Sequence, residues 1–287
     1  GMITPFRLLQ TQVVSLLLSG FLIASSSVAA DRREPLGAVL DASHVSSLAD
    51  DKSEPVELFE YLYDQQRIKV AENGRLVLSL SANRTDYVIQ GPATFKVTAS
   101  QLIFEAGKPF SSKARPDVVV GALLAGPRTQ GAVRLRASRG VLPTSGSVVA
   151  SNRPVLSWPA LIGQGDYELS IADGNGDPEQ VYRVNATRWQ PDATQALAWG
   201  HAYRWRVKPA ETDSIGVSGN FTVISDSERD QIAQLLPAAN ASFAERVVYA
   251  KTLEHLGVRD EAKAAWQSLA AERPDNAVLR EYLRANP

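Results

Sequence analysis

No cysteine occurs in the 287 residues, and histidine (three) and methionine (one) are nearly as scarce. The missing thiols exclude disulfide staples, thiolate zinc sites, iron–sulfur clusters and cysteine nucleophiles together. An excess of charge of one sign is also lacking: 30 Lys and Arg stand against 31 Asp and Glu, a net charge of −1. Phosphate-backbone binding needs a basic surplus or a marked basic face, so nothing in the balance points to nucleic acid. After residue 30 no apolar run approaches the roughly 20 residues that cross a bilayer as a helix. The longest, Val118-Val119-Val120-Gly121-Ala122-Leu123-Leu124-Ala125, has the length of a strand. What is present is ordinary globular material: 44% apolar and 21% charged residues, with 19 Gly and 16 Pro dispersed along the chain. The length suits two domains or three small ones.

Residues 1–30 read as a secretory signal peptide. Arg7 precedes an apolar core from Val13 to Ala24, too short to span a bilayer, and small residues follow it (Ser25-Ser26-Ser27-Val28-Ala29-Ala30). Cleavage after Ala29 and after Ala30 both fit, and the same segment retained would serve as an anchor. Its removal takes away one cation and no acid, leaving 29 basic against 31 acidic residues and a net charge of −2. The expectation is an exported, periplasmic or secreted bacterial protein held by its own cores, since it has no cysteine to staple.

Residues 31–55, with the Asp50-Asp51-Lys52-Ser53-Glu54-Pro55 cluster, read as a polar, loosely ordered lead-in. Over 56–112 the period changes to two. Ile68 and Val70, a turn at Asn73-Gly74, then Leu76, Leu78 and Leu80 predict one hairpin. Tyr87-Val88-Ile89, the breaker Gly91-Pro92, then Phe95 and Val97 predict a second, and Leu102-Ile103-Phe104 closes a small all-β domain. The order from Gln66 to Val97, above all Gly91-Pro92-Ala93-Thr94-Phe95-Lys96-Val97, resembles the β-rich periplasmic domain of the FecR family. That resemblance implies a sensing and interaction module of the bacterial envelope and not an enzyme.

Residues 113–150 form a connector with one or two expected strands, at Val118-Val119-Val120 and Ala132-Val133-Arg134-Leu135-Arg136. Arg134, Arg136 and Arg139, with Arg128 nearby, would form either a basic face for an anionic polymer or the solvated face of an edge strand. From 151 to 224, strands at Pro154–Trp158, Tyr167–Ile171, Val181–Val184, Leu197–Val207 and Phe221–Val223 alternate with Asp, Gly, Asn and Pro turns and describe a β-sandwich. The Pro154-x-Leu156-x-Trp158, Tyr167-x-Leu169-x-Ile171 and Tyr203-x-Trp205-x-Val207 strands resemble fibronectin type III domains. The resemblance implies Trp158 and Trp205 as core aromatics and Tyr203 as a tyrosine corner bonding to nearby backbone. Exposed Trp189 or Trp199 would either stack on sugar rings or cover the sandwich ends. Asp173-Gly174-Asn175-Gly176-Asp177 has calcium-loop composition, but Pro178 and Val184 stand where an EF-hand needs Gly and Glu, so a hairpin turn is the better reading.

From 225 to 287 the period is helical. Ser225-Asp226-Ser227-Glu228 and Ser242-Phe243-Ala244-Glu245 are capping boxes. Helices are expected to begin at each, with further helices over about 260–272 and 277–284. Ala250, Leu253, Gly257, Ala262, Trp266 and Pro274 resemble one tetratricopeptide repeat, Leu269 departing from its usual Ala. That implies either protein binding or a helical cap.

Catalytic constellations are scarce. His44, His201 and His255 lie in three regions with no second ligand at metal spacing, and no G-x-S-x-G, H-E-x-x-H or P-loop occurs. No catalytic, cofactor-binding or metal residue is nominated, and no cofactor is expected. The sequence predicts a mainly β chain with an α-helical C-terminus: small all-β domain, β-sandwich, helical hairpin. The expected function is non-catalytic binding, scaffolding or sensing through protein–protein contacts in the cell envelope, with the C-terminal helices as one contact surface. A cell-wall or exopolysaccharide binder is the alternative, and an unrecognised hydrolase the second.

Overall fold

The structure, a computed structural model, describes residues 33–124, 140–161, 165–214 and 216–285. The expected signal peptide and the Ala132–Arg136 strand with Arg128, Arg134, Arg136 and Arg139 lie outside these. Mainly β with a helical C-terminus is the observed class.

The first sheet starts earlier than the sequence suggests. Residues 31–55, expected as a lead-in, carry β1 (Gly37–Ala49) and β2 (Lys52–Pro55). The first five residues of β1 are buried on both faces: Val39, like Val45 further on, enters the sheet's own core, while Ala38 and Leu40 face the helices. A strand covered on both sides carries no period-two signal, which is why it escapes pattern reading. β3 (Tyr61–Leu62) pairs with the start of β1, and β4 (Arg67–Leu80) with its length.

The expected hairpin turn at Asn73-Gly74 does not form, because β4 runs straight through it. Gly74 instead marks an irregularity where the β1–β4 register shifts between Ser43 and Val45. A β-carbon on Gly74 would stand 2.6 Å from the His44 carbonyl oxygen, so the glycine serves close backbone approach rather than chain reversal. The second expected hairpin is also redrawn. β5 (Thr85–Gln90) and β6 (Ala93–Val97) do not pair with each other; they pair with successive halves of β4, and Gly91-Pro92 carries the chain between them. β7 (Leu102–Ala106) adds to β6 and β8 (Ser111–Ala114) to β5. Leu76, Leu78, Leu80, Ile89 and Phe95 fill the core between these strands.

Val118-Val119-Val120, expected as a strand, belongs to α1 (Asp117–Leu124). A short apolar run does not by itself distinguish a buried helix from a strand; here Ala122 and Leu123 are buried, and Leu123 joins the helical core.

The second β region has a five-stranded sheet in the order β12 (Gln180–Val184), β11 (Tyr167–Asp173), β14 (Ala202–Pro209), β15 (Val217–Val223), β9 (Ser147–Val149). β9, within the stretch expected as a connector, runs parallel to β15. β10 (Leu156–Ser157) and β13 (Arg188–Trp189) form a two-stranded sheet. Trp158, Leu169, Trp205, Val207 and Phe221 share one core, with the Trp158 and Trp205 rings 6.2 Å apart. The Tyr203 hydroxyl accepts a hydrogen bond from the Ala198 backbone N–H at 2.8 Å, pinning the loop that enters β14.

The C-terminal helices are α2 (Asp226–Leu235), α3 (Phe243–His255), α4 (Arg259–Glu272) and α5 (Ala277–Ala285). Ser225 and Ser242 cap α2 and α3, each hydroxyl accepting from the backbone N–H three residues on. Ala250 and Ala262 are buried where α3 and α4 pack, and Gly257 makes the turn between them. These helices do not hang free. Val247, Val248, Leu253 and Trp266 share a core with Ala38, Leu40 and Val77 of the first sheet, and Val148 and Trp199 of the second β region pack against the same core. At roughly 1.5–3 kcal/mol for each large apolar side chain buried, this shared core is a principal term joining the two β regions. From Glu34 onward the chain is one compact unit.

Candidate functional site

Strict alternation along β14 divides its side chains between two environments. Tyr203, Trp205 and Val207 are buried, whereas Arg204 and Arg206 stand exposed on the outer face and Lys208 is half-exposed there. Register then sets their neighbours: Arg204 lies between Ala172 and Asn220, and Arg206 between Ser170 and Ser218. Same-face residues on a strand repeat every ~6.8 Å, so the cations form a regular row.

The second bank of this face comes from residues 141–146 and the start of α4. Gly146 N–H donates to the Asn220 side-chain oxygen at 2.8 Å, and Thr144 donates from its backbone and its hydroxyl to Asp260 at 2.9 and 2.7 Å. Arg259, next to Asp260, donates to the Gly146 carbonyl at 3.2 Å. Between the banks lies an open cleft of about 950 Å³, with Arg204, Arg206 and Arg259 among its lining residues.

The cleft's charges are not all paired locally. Arg206 pairs with Glu179 at 3.3 Å in exposed geometry that water weakens, and beyond the cleft Lys208 reaches Glu168 at 3.8 Å. Arg204 and Arg259 have no carboxylate partner among the described residues. The acids of the lining gather at the β11–β12 turn. There Asp173 lies 2.7 Å from His201 Nδ1 and accepts from the Asn175 backbone N–H at 2.9 Å. The hydrogen bond to His201, with that from Asn175, holds the Asp173 carboxyl below its ordinary range. Asp177 stands exposed at the rim.

On the opposite, buried face of the sheet Trp205 is 2% exposed, and its indole N–H has no hydrogen-bond partner among the described residues. A buried indole N–H usually finds one. A β-carbon on Gly219 would stand 2.9 Å from that nitrogen and 3.2 Å from the Ser145 hydroxyl. Glycine at 219 therefore lets β15 approach the buried indole closely, where a side chain would collide with it.

The residues weighed from the sequence fall as follows. His44 is exposed, with its Nδ1 3.1 Å from the Ser43 hydroxyl. His255 packs beside Gly121. His201 forms an Asp–His pair with Asp173, and its Nε2 has no serine or threonine partner among the described residues. Asp173 to Asp177 form a turn, with Asn175 folded back on Asp173. Trp199 is covered by the Arg229 guanidinium, 4.5 Å from its ring, and half-buried Trp189 stacks on Tyr182 at 4.7 Å.

The inner face of the helical hairpin is occupied by this chain. Phe59, in the loop before β3, sits edge-on to Trp266 at 5.4 Å and near Tyr282 at 5.6 Å, with the Lys251 ammonium 4.7 Å from its ring. Trp266 Nε1 donates to Glu254 at 3.0 Å, and the Tyr282 hydroxyl bonds to the same carboxylate. The cleft was missed by sequence reading although its alternation is visible, because register and the arrival of Arg259 from 55 positions downstream of Arg204 are needed to assemble it.

Compared with models of protein families the chain matches none, and among curated proteins it likewise finds no match.

Proposed function

We propose that this chain is an exported, non-catalytic protein of the bacterial cell envelope that works as a binding and scaffold module through protein–protein contacts, with the cleft over β14 as its contact site. The observation that carries the reading is the pair Arg204 and Arg259, two cations on facing banks of one cleft without a carboxylate partner among the described residues. The lining as a whole is balanced, Arg204, Arg206 and Arg259 standing against Asp173, Asp177 and Glu179, so the two cations without a local carboxylate are what a partner's polar or anionic group could meet. The helical hairpin is a weaker candidate for the contact, since its inner face is spent on Phe59 and the first sheet.

The test is a cross-linking pull-down from envelope fractions. Deleting residues 225–287 would remove the shared core, so point variants serve better. Arg204→Glu with Arg259→Glu should lose the partner that the unsubstituted chain captures. Equal capture by both proteins would sink the reading.

A cell-wall or exopolysaccharide ligand is the second reading, favoured by the Tyr182–Trp189 stack near the β12 edge. It predicts quenching of tryptophan fluorescence by wall fragments that Trp189→Ala abolishes, and a flat titration would count against it.

A further inference from the structure

We infer that Asn175 is a site of self-modification: its side-chain amide is lost by attack of the Gly176 backbone nitrogen, with His201 as proton donor to the departing ammonia. The sequence holds two Asn-Gly pairs, Asn73-Gly74 and Asn175-Gly176. A following glycine favours this chemistry because no β-carbon shields its nitrogen. The fold separates the two pairs. Gly74 is buried within β4, and its carbonyl accepts from the Gly91 N–H at 3.0 Å. A β-carbon there would stand 2.6 Å from the His44 carbonyl oxygen, so the backbone has no room to turn toward the Asn73 side chain. Gly176 is the opposite case. It lies in the exposed turn that joins β11 to β12, its φ is 90°, and a β-carbon on it would meet nothing within 4 Å. Its N–H makes a long bond of 3.3 Å to the Asp173 carbonyl, which local motion of the turn breaks readily. The adjoining Asp173-Gly174 pair is protected, because the Gly174 N–H donates to the Ala202 carbonyl at 2.9 Å and a carboxylate is a poor electrophile.

The leaving group is met by His201. Its Nδ1 stands 3.1 Å from the Asn175 side-chain nitrogen and 2.7 Å from the Asp173 carboxylate. Asp173 is held ionised and only accepts, so Nδ1 carries the proton. That N–H then faces an amide nitrogen whose delocalised lone pair accepts poorly. Attack changes this. The Gly176 nitrogen bonds to the Asn175 Cγ, its proton passes to water, and the side-chain nitrogen of the tetrahedral species becomes an amine able to take the Nδ1 proton. The contact is therefore satisfied only along the reaction. The Cγ–Nδ2 bond breaks, ammonia leaves, His201 recovers its proton from water and a cyclic imide remains. Water opens the ring at either carbonyl and gives aspartate or isoaspartate at position 175; nothing is oxidised or reduced. The product places a new acid between Gly174 and Gly176, which both line the cleft, so the balanced lining drifts toward net negative charge as the protein ages.

The experiment incubates the full chain in neutral buffer and follows, by peptide mapping with mass spectrometry, the conversion of each asparagine and the isoaspartate formed. Asn175 is expected to convert first. Asn73 reacts only when β4 opens, and an opening of even about 1.4 kcal/mol makes it about tenfold slower. His201→Gln keeps a hydrogen-bonding side chain beside Asp173 but offers no acidic proton, and it should slow Asn175 while leaving Asn73 unchanged. The expected slowing is about tenfold, below the ~10²–10⁴ of a fully positioned donor because water competes in an exposed turn. A merely structural role for His201 would instead loosen the turn in that variant and speed the reaction. An intact Asn175 after Asn73 has converted, equal rates at the two pairs, or an unslowed Asn175 in the His201→Gln chain would each overturn the inference. The readout is taken on the isolated protein, so it stands or falls separately from the partner proposed above.

Discussion

Asp41 and Arg273, 232 positions apart, form a two-bond ion pair that ties β1 to the end of α4: Nη1 donates to Oδ1 at 2.7 Å and Nη2 to Oδ2 at 3.1 Å. The same guanidinium lies 3.5 Å from the centre of the Phe243 ring, and Arg75 stands 3.7 Å from the carboxylate on the other side. Asp41 is 8% exposed, so its charge depends on these partners.

Arg273→Ala should therefore destabilise the chain by about 2–4 kcal/mol, because a carboxylate would remain buried with only Arg75 near it. Arg273→Lys keeps the charge but not the fork and should fall between. Urea unfolding measures both, and a loss under about 0.5 kcal/mol for the alanine variant would show that the pair does not tie the helices to the sheet.

Tyr203→Phe removes the hydroxyl that accepts from the Ala198 N–H and leaves the ring in the core. The expected cost is about 1–2 kcal/mol, the range for losing one partner of an inward-facing hydrogen bond. Exchange of the Ala198 amide with deuterium should accelerate in the same variant; unchanged exchange would mean that the hydroxyl does not hold the loop.

Phe59 is in the left-handed region (φ 68°) and is held there by Trp266, Tyr282 and Lys251. Phe59→Ala should cost about 2–3 kcal/mol through lost packing, and Phe59→Gly should recover up to about 1 kcal/mol of that by relieving the backbone. The comparison of the two by thermal unfolding separates packing from strain, and a glycine variant less stable than the alanine variant would contradict the account.

Lys251 lies under the same rings, and burial pulls its ammonium below the ordinary lysine range. The unfolded chain then holds the proton over a pH window in which the native chain releases it. Stability should accordingly rise with pH from the lowered native value toward the ordinary one. Lys251→Met lacks this increment, so the stability of the unsubstituted chain relative to it should grow as pH climbs from neutrality toward 10. Parallel pH profiles of urea unfolding would show that the ammonium is not desolvated.

Legibility in the sequence followed the environment of each element. β11, β12 and β14 were readable because one face of each is wet, and the caps at Ser225 and Ser242 because their chemistry is local. β1 was not, since Ala38 and Val39 go to different cores and leave no alternation. Asn73-Gly74 carried a turn signature that β1–β4 pairing overrode, and α1 carried a strand-like run that packing made helical. Arg204 and Arg206 were in plain view between Tyr203 and Val207. Their meaning required the partners across the sheet and Arg259 from the helix.

The most direct test of the central claim compares capture of envelope partners by three full-length proteins: the unsubstituted chain, Arg204→Glu with Arg259→Glu, and Lys263→Glu, an exposed α4 charge reversal outside the cleft lining. The account predicts that the first and third capture the same partner and the second does not. Capture by all three, or loss in the third as well as the second, would contradict a binding site over β14.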